Sequence, residues 1–319
     1  MENTENSIAS QGQKYPAPIS YVTIQVTSQD KNAAGFYDSL NQEQYNALQK
    51  FKQQLTEQKV IESFEVYDDL YLLRFLRARK FDLDKTMLMF KKFIQWRADK
   101  KVDEIRENFE LSELFDVKKL YPHGYHKVDK LGRPVYIELI CKINIDKLFK
   151  VTTSERMVDY YIKQYERQMK LIFPACSALA KKPIEQSCTI LDVNGIGVFS
   201  LVGKTKDFIK LASDIGQDYY PEMLGKMSLI NVGWLFRAVW SMIKGFIDPK
   251  TASKIDLHKN EAHKELLALI DADNLPKTLG GNCECKDFEF GCLGSDIGPW
   301  NTEGGITVAG KSTRIKAAP

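Results

Sequence analysis

Alternation between two hydrophobic periods along residues 134–270 is the feature that most restricts what this chain can fold into. Pro134–Cys141, Ser187–Val193 and Lys226–Val232 are short apolar runs, and Ile255 with Leu257 marks a shorter one. Between and after them lie stretches with helical spacing: Ser154–Ala180, Leu201–Ile215, Trp234–Phe246 and Glu261–Ile270. Strands separated by helices need crossover connections, so the fold class is α/β, with a mainly parallel sheet flanked by helices.

Upstream the pattern is helical. Leu48, Phe51 and Leu55 recur on one face, then Leu70, Leu73 and Leu76, then Met87, Phe90 and Ile94, with Asp82 or Asp84 available as a cap. Residues 1–35 are rich in Ser, Gln, Asn and Thr without such spacing and are expected to form a flexible lead-in. The expected division is therefore a lead-in (1–35), a helical lobe (36–105), the α/β domain (106–290) and an extended C-terminal extension (291–319).

With 319 residues, 44% hydrophobic and 27% charged, the chain can bury a substantial core. Its formal charge of +3, with no arginine-rich tract or zinc-finger spacing, gives no reason to expect a nucleic-acid partner. Charge is uneven, however: Asp68–Lys101 carries ten Lys/Arg against five Asp, suited to anionic lipid or simply to a solvated helix face. The opening MENTENSIAS lacks the apolar stretch of a signal peptide, so reduced thiols and a cytoplasmic location are expected. Cys283, Cys285 and Cys292 lie close together, but three thiols without a nearby histidine fall short of four ligands, and no metal is expected. Leu229–Ile247 approaches the ~20 residues of a membrane span. It carries Arg237 and Lys244 and is interrupted by Gly233 and Gly245, so strand–turn–helix fits better.

Enzyme signatures fail in turn. Gly197–Thr205 imitates a phosphate-binding loop but places one residue too many between its glycines. Gly195-Ile196-Gly197 is half a dinucleotide fingerprint, and neither a G-x-S-x-G elbow nor an H-E-x-x-H pair is present. The reading is of a non-enzyme.

Three features remain. Ser187 and Thr189 alternate on one strand and put both hydroxyls on one face of a segment that should be apolar. Such hydroxyls need partners, whether within the core or on a ligand. Tyr125, Tyr136, Tyr161 and Tyr165 form an aromatic set, with the last two one helical turn apart. Tyrosines can pack in a core, or can combine cation–π contact with a phosphate hydrogen bond. Finally, Trp234–Phe246 is apolar nearly all round yet carries Arg237 and Lys244, which suits a buried helix or one at a bilayer surface.

Taken together, several runs resemble one family. LLRFLRARKFD (Leu72–Asp82), YHKVDKLGRPVY (Tyr125–Tyr136), SCTILDVNGI (Ser187–Ile196), YYPEMLGK (Tyr219–Lys226), DPKTASKI (Asp248–Ile255) and NLPKTLGG (Asn274–Gly281) are similar to CRAL-TRIO lipid-binding proteins. SDIGPW (Ser295–Trp300) narrows the resemblance to the fungal-type phosphatidylinositol/phosphatidylcholine transfer proteins. It implies exchange of one phospholipid between membranes and presentation of phosphatidylinositol to a lipid kinase. It further implies no cofactor, transient contact with Golgi or endosomal membranes, and a monomer. The implied phosphatidylcholine site is Tyr125, Tyr136, Tyr165, Ser187 and Thr189. The implied phosphatidylinositol site is Arg79, Lys80, Asp129, Glu222, Thr251 and Lys254. The implied gate is the helix bearing Trp234, Leu235, Phe236, Val239, Trp240, Ile243 and Phe246. Met223 departs from the pattern, since the family commonly has Arg there, and removes a cation expected near the inositol entrance. A sterol or fat-soluble vitamin on the same fold is the alternative ligand.

Overall fold

The computed structural model describes residues 24–31, 33–196, 204–245, 247–259 and 262–315. Gln42–Glu57 (α1), Asp69–Ala78 (α2) and Leu83–Lys100 (α3) form the N-terminal lobe. Each is capped by the preceding side chain: Asn41 in a reciprocal capping box, Asp68, and Asp82. Their apolar faces meet in a core of Leu48, Phe51, Leu55, Leu73, Phe75 and Phe90. Ile24 joins this core and the Thr27 N–H bonds the Leu40 carbonyl (2.9 Å), so part of the expected lead-in packs against the lobe.

Val102–Asn108 (α4) and Leu114–Leu120 (α5) lead into the sheet, built from His123–Val128 (β1), Pro134–Glu138 (β2), Ser187–Asp192 (β3), Leu224–Ile230 (β4) and Ile255–Leu257 (β5). Spatial order equals chain order, with β1–β2 an antiparallel hairpin and every later pair parallel. The connections carry Ile145–Val151 (α6), Ser154–Arg167 (α7), Phe173–Ala180 (α8), Lys204–Tyr219 (α9), Trp234–Lys244 (α10) and Pro249–Ala252 (α11). When strand order follows chain order and crossovers share one hand, the connecting helices fall on one face of the sheet. That face displays Tyr136, Thr189 and Met227. The other face, with Val135, Ile137, Cys188 and Ile190, is covered by Leu266 of His263–Leu269 (α12) and by Ile270, Leu275 and Leu279.

Several boundaries depart from the sequence expectation. β1 carries two histidines and a lysine and has no strand-like hydrophobic run; cross-strand pairing with β2 forms it. The expected helix 154–180 is interrupted by a wide turn at Gln168–Ile172. Pro174 has no N–H to offer the Lys170 carbonyl, which is the physical reason for such an interruption. Residues 291–315 are not the extended tail expected. Cys292–Ser295 (α13) packs along β1, and Ser295, Trp300 and Thr313 are buried. Lys127, at a bulge with φ +52°, turns its N–H to the Ile297 carbonyl (2.6 Å). Gly124 is needed here, because a Cβ would stand 2.3 Å from the Leu293 carbonyl oxygen. The sheet edge is thereby covered.

Candidate functional site: a tyrosine-lined face and an adjoining lysine pair

Register places Tyr125, Tyr136, Thr189, Met227 and Ile255 on one rung across all five strands. Ser187 lies two residues before Thr189 and therefore shares its face. Both hydroxyl residues are buried; Ser187 Oγ donates to the Met223 carbonyl (3.3 Å). The rings of Tyr125 and Tyr136 lie 5.0 Å apart, and Trp300 from the C-terminal segment packs edge-on to Tyr125 at 6.0 Å. Above them α7 supplies Tyr165, stacked on Tyr220 at 4.6 Å. Its hydroxyl nests against Gly216 of α9, where a Cβ would stand 2.7 Å away. Tyr125, Tyr136, Ser187 and Thr189 thus share one face of the sheet, and Tyr165 of α7 belongs to the same apolar cluster as the two tyrosines.

Sequence reasoning missed the polar floor beside them. His123 Nδ1 lies 2.7 Å from the Tyr121 carbonyl, so it carries the proton, and Nε2 accepts from the Tyr160 hydroxyl (2.8 Å). Burial holds this histidine neutral, with its pKa lowered to about 3. Glu138 accepts from the Tyr121 hydroxyl, and burial raises its carboxyl to about 7. Alternation was the available signal, since Glu138 stands two residues beyond Tyr136 on the same strand and so on its face.

A second group lies where β3, β4 and α11 converge. Glu222 sits in a left-handed conformation (φ +61°) and pairs with Lys254 at 3.2 Å and Lys250 at 3.0 Å. Burial raises the Glu222 pKa, but Lys254 and Lys250 outweigh it and hold the carboxyl below its usual range. Burial lowers the Lys254 pKa, only partly opposed by Glu222. Two ammonium groups therefore share one carboxylate in a partly desolvated place, which leaves room for a second anion. Thr251 is held one turn from Lys254 by the bond from the Lys254 N–H to its carbonyl (3.0 Å). Arg74 of α2 donates to the Glu222 carbonyl (3.3 Å), which brings the end of α2 toward this group. Arg79 is half-buried and lines a separate groove with Lys85, Met89, Lys92, Asp218 and Tyr219, and Lys80 is exposed. Asp129 lies at the turn between β1 and β2. Its carboxylate closes the β1–β2 hairpin, accepting from Arg133 Nε (2.6 Å) and from the N–H groups of Leu131 and Arg133. Met223 points into the apolar cluster with Tyr125 and Tyr220 rather than toward the lysines.

Of the expected gate, Phe236 is buried against Val193, Leu229 and Val232, Trp240 is half-buried, and Trp234 is 80% exposed, with Arg237 one turn on and Lys244 at the far end of α10 also exposed. The side chains of Leu235, Val239 and Ile243, and all of Phe246, lie outside the described residues. Among the described residues no helix is long and apolar enough to cross a membrane.

Comparison with known proteins places these features in a family. Residues 118–281 match the model of the CRAL/TRIO domain and residues 44–92 that of the CRAL/TRIO N-terminal domain. The chain is 46% identical over 265 residues to the phosphatidylinositol/phosphatidylcholine transfer protein SFH7 of Arabidopsis thaliana, covering 83% of this chain and 48% of that one. It thus spans about half the length of that relative. To the Sec14 cytosolic factor of Schizosaccharomyces pombe it is 46% identical over 239 residues, covering 75% of this chain and 82% of that one. The SEC14 cytosolic factor of Kluyveromyces lactis is 41% identical over 284 residues, covering 88% and 92%. The crystal structure of Sfh5 has the same fold, with a TM-score of 0.57 at 18% identity, covering 76% of this chain and 88% of that one. Two matched domain models, a sheet in chain order and close relatives over most of its length agree: the chain belongs to the CRAL/TRIO family.

Proposed function

We propose that this chain binds one phospholipid, phosphatidylcholine or phosphatidylinositol, and exchanges it between membranes without covalent chemistry. The observation that carries this reading is the rung Tyr125–Tyr136–Thr189, with Tyr165 facing it and Ser187 beside it. Hydroxyls from Ser187 and Thr189 would donate to a lipid phosphate, and the tyrosine rings would surround the choline. The phosphate of an inositol lipid would instead take the unmatched charge at Lys250 and Lys254, while Glu222, still paired with both lysines, and Thr251 would meet inositol hydroxyls. Arg79 and Lys80 would approach from α2. Acyl burial, at ~0.8 kcal/mol per CH₂, holds the lipid; the headgroup contacts select it. A sterol or vitamin carries neither a phosphate for Thr189 nor a cation for the tyrosine rings, so it is the weaker fit.

Helix α10, with Phe236 inward and Trp234 outward, would act as the gate at a membrane surface. Relatives named as cytosolic factors support a cytosolic protein; transient visits to Golgi or endosomal membranes, and a phosphoinositide kinase receiving the inositol lipid, are further parts of the proposal. The test is transfer between liposomes. Ser187→Ala with Thr189→Ala should cut phosphatidylcholine transfer at least tenfold and spare phosphatidylinositol. Lys254→Ala should do the reverse. Equal loss of both lipids in both variants would sink the two-site reading.

A further inference from the structure

The fold brings a histidine to the three clustered thiols. His126 of β1 and the thiols of Cys283, Cys285 and Cys292 place one potential ligand atom each within 4.8 Å of one another. We propose that these four residues form a Cys₃His site for a zinc ion that pins the C-terminal segment to the first strand of the sheet.

Three observations carry this. First, the spacing fits: a tetrahedral ion with Zn–S of about 2.3 Å sets its sulfurs about 3.8 Å apart. Cys283 Sγ and Cys285 Sγ stand 3.6 Å apart, and all three cysteines are free thiols. Second, His126 is fully buried, and its Nε2 has no hydrogen-bond partner among the described residues. Buried polar atoms are almost always paired, so an orphan here points to a missing partner. Third, the tautomer is fixed in the form a metal needs. Ser295 Oγ donates its only proton to the Cys292 carbonyl (2.9 Å), so it must accept from His126 Nδ1 at 2.9 Å. Nε2 is then an unprotonated lone pair, oriented by a hydrogen bond on the other nitrogen, as metal-bound histidines characteristically are.

Binding replaces the protons of the three thiols, which pass to solvent, and no electron is transferred. The ion would hold the segment on which Asp296 and Trp300 follow. Asp296 pairs with Arg167 at 2.6 Å, and Trp300 walls the tyrosine face. The site lies on the opposite side of β1 from Tyr125, as alternation of adjacent residues requires.

The experiment uses the full chain, purified under reductant without chelator, with metal measured by plasma mass spectrometry and native mass spectrometry. One zinc per chain is expected, and cobalt exchanged into the site should give the visible bands of tetrahedral cobalt–thiolate. Cys285→Ser and His126→Asn should each drop stoichiometric zinc to near none. Because either variant could misfold, the unmodified chain is also treated with a strong chelator while free thiols are counted. Three additional thiols should become titratable, together with lost protection of residues 283–300 in hydrogen exchange. No stoichiometric uptake when zinc or cobalt is supplied to the reduced chain would overturn the proposal. So would a disulfide among the three cysteines in the chain purified without oxidant.

Discussion

Glu138 is the side chain whose ionisation the fold alters in a way that can be read directly. Its carboxyl ionises at about 7 folded against 4.5 as a free side chain, because burial penalises the charge more than the Tyr121 hydroxyl relieves it. The folded state therefore keeps this proton longer, so stability falls as pH rises from about 4.5 to 7 and is level above. Glu138→Gln should remove that loss. Relative to the unmodified chain, its urea-unfolding free energy should gain on the order of 1–3 kcal/mol between pH 4.5 and 7.5. Parallel stability curves would refute the assignment. Single residues were unevenly legible in the sequence. Ser187 and Thr189 stood out because hydroxyls interrupt an apolar strand. The place of Glu138 on the face of Tyr136 was within reach of the same alternation. The nearness of His126 to Cys283 was not, since no local period links positions so far apart. Asp129 looked like a ligand group because it sits in a family motif, yet it is consumed by hairpin geometry: a carboxylate beside a tight turn first satisfies the turn's own N–H groups.

At the scale of elements, α10 has two unlike faces. Trp234 lies in solvent with Arg237 and Lys244, and Phe236 is in the core. Trp234→Ala should leave urea stability within ~0.5 kcal/mol of the original, as surface changes do, while binding to anionic vesicles weakens several-fold. Phe236→Ala should instead cost ~3–5 kcal/mol through the cavity it leaves. Vesicle sedimentation and unfolding curves separate the two; unchanged vesicle binding by the Trp234 variant would remove α10 from the membrane-facing role. This helix was visible in the sequence through its apolar residues, because a surface helix of an ordinary domain would be polar on one side. β1 was not, because its strand character comes from β2 and from the segment lying along its edge.

At the scale of the whole molecule, the helical lobe is joined to the sheet by buried charge as well as apolar packing. Arg97 of α3 pairs with Glu166 of α7 at 2.6 Å, and the Tyr220 hydroxyl completes that carboxylate at 2.8 Å. Arg77 of α2 pairs with Glu185 at 2.8 Å, both nearly inaccessible. Glu166→Ala would leave Arg97 only the exposed Asp103 carboxylate, at 2.9 Å, and a loss of ~3 kcal/mol in unfolding free energy, the low end for a broken buried pair, is expected. A loss below ~1 kcal/mol would mean that the guanidinium finds water, and that the junction is looser than its burial implies. The sequence disclosed the α/β class and the helical lobe from period alone, but not this junction, because charged residues on amphipathic helices read as solvent-facing until a second lobe covers them.

Trp300 and Asp296 have a consequence for where this protein ends as a working unit. The CRAL/TRIO domain model stops at residue 281, yet one wall of the tyrosine face and the partner of Arg167 come from beyond it. A boundary drawn at the end of that domain model would run through the tyrosine-lined face rather than around it. Relatives that share the matched region but diverge after it can therefore inherit the same sheet and still enclose a differently shaped space.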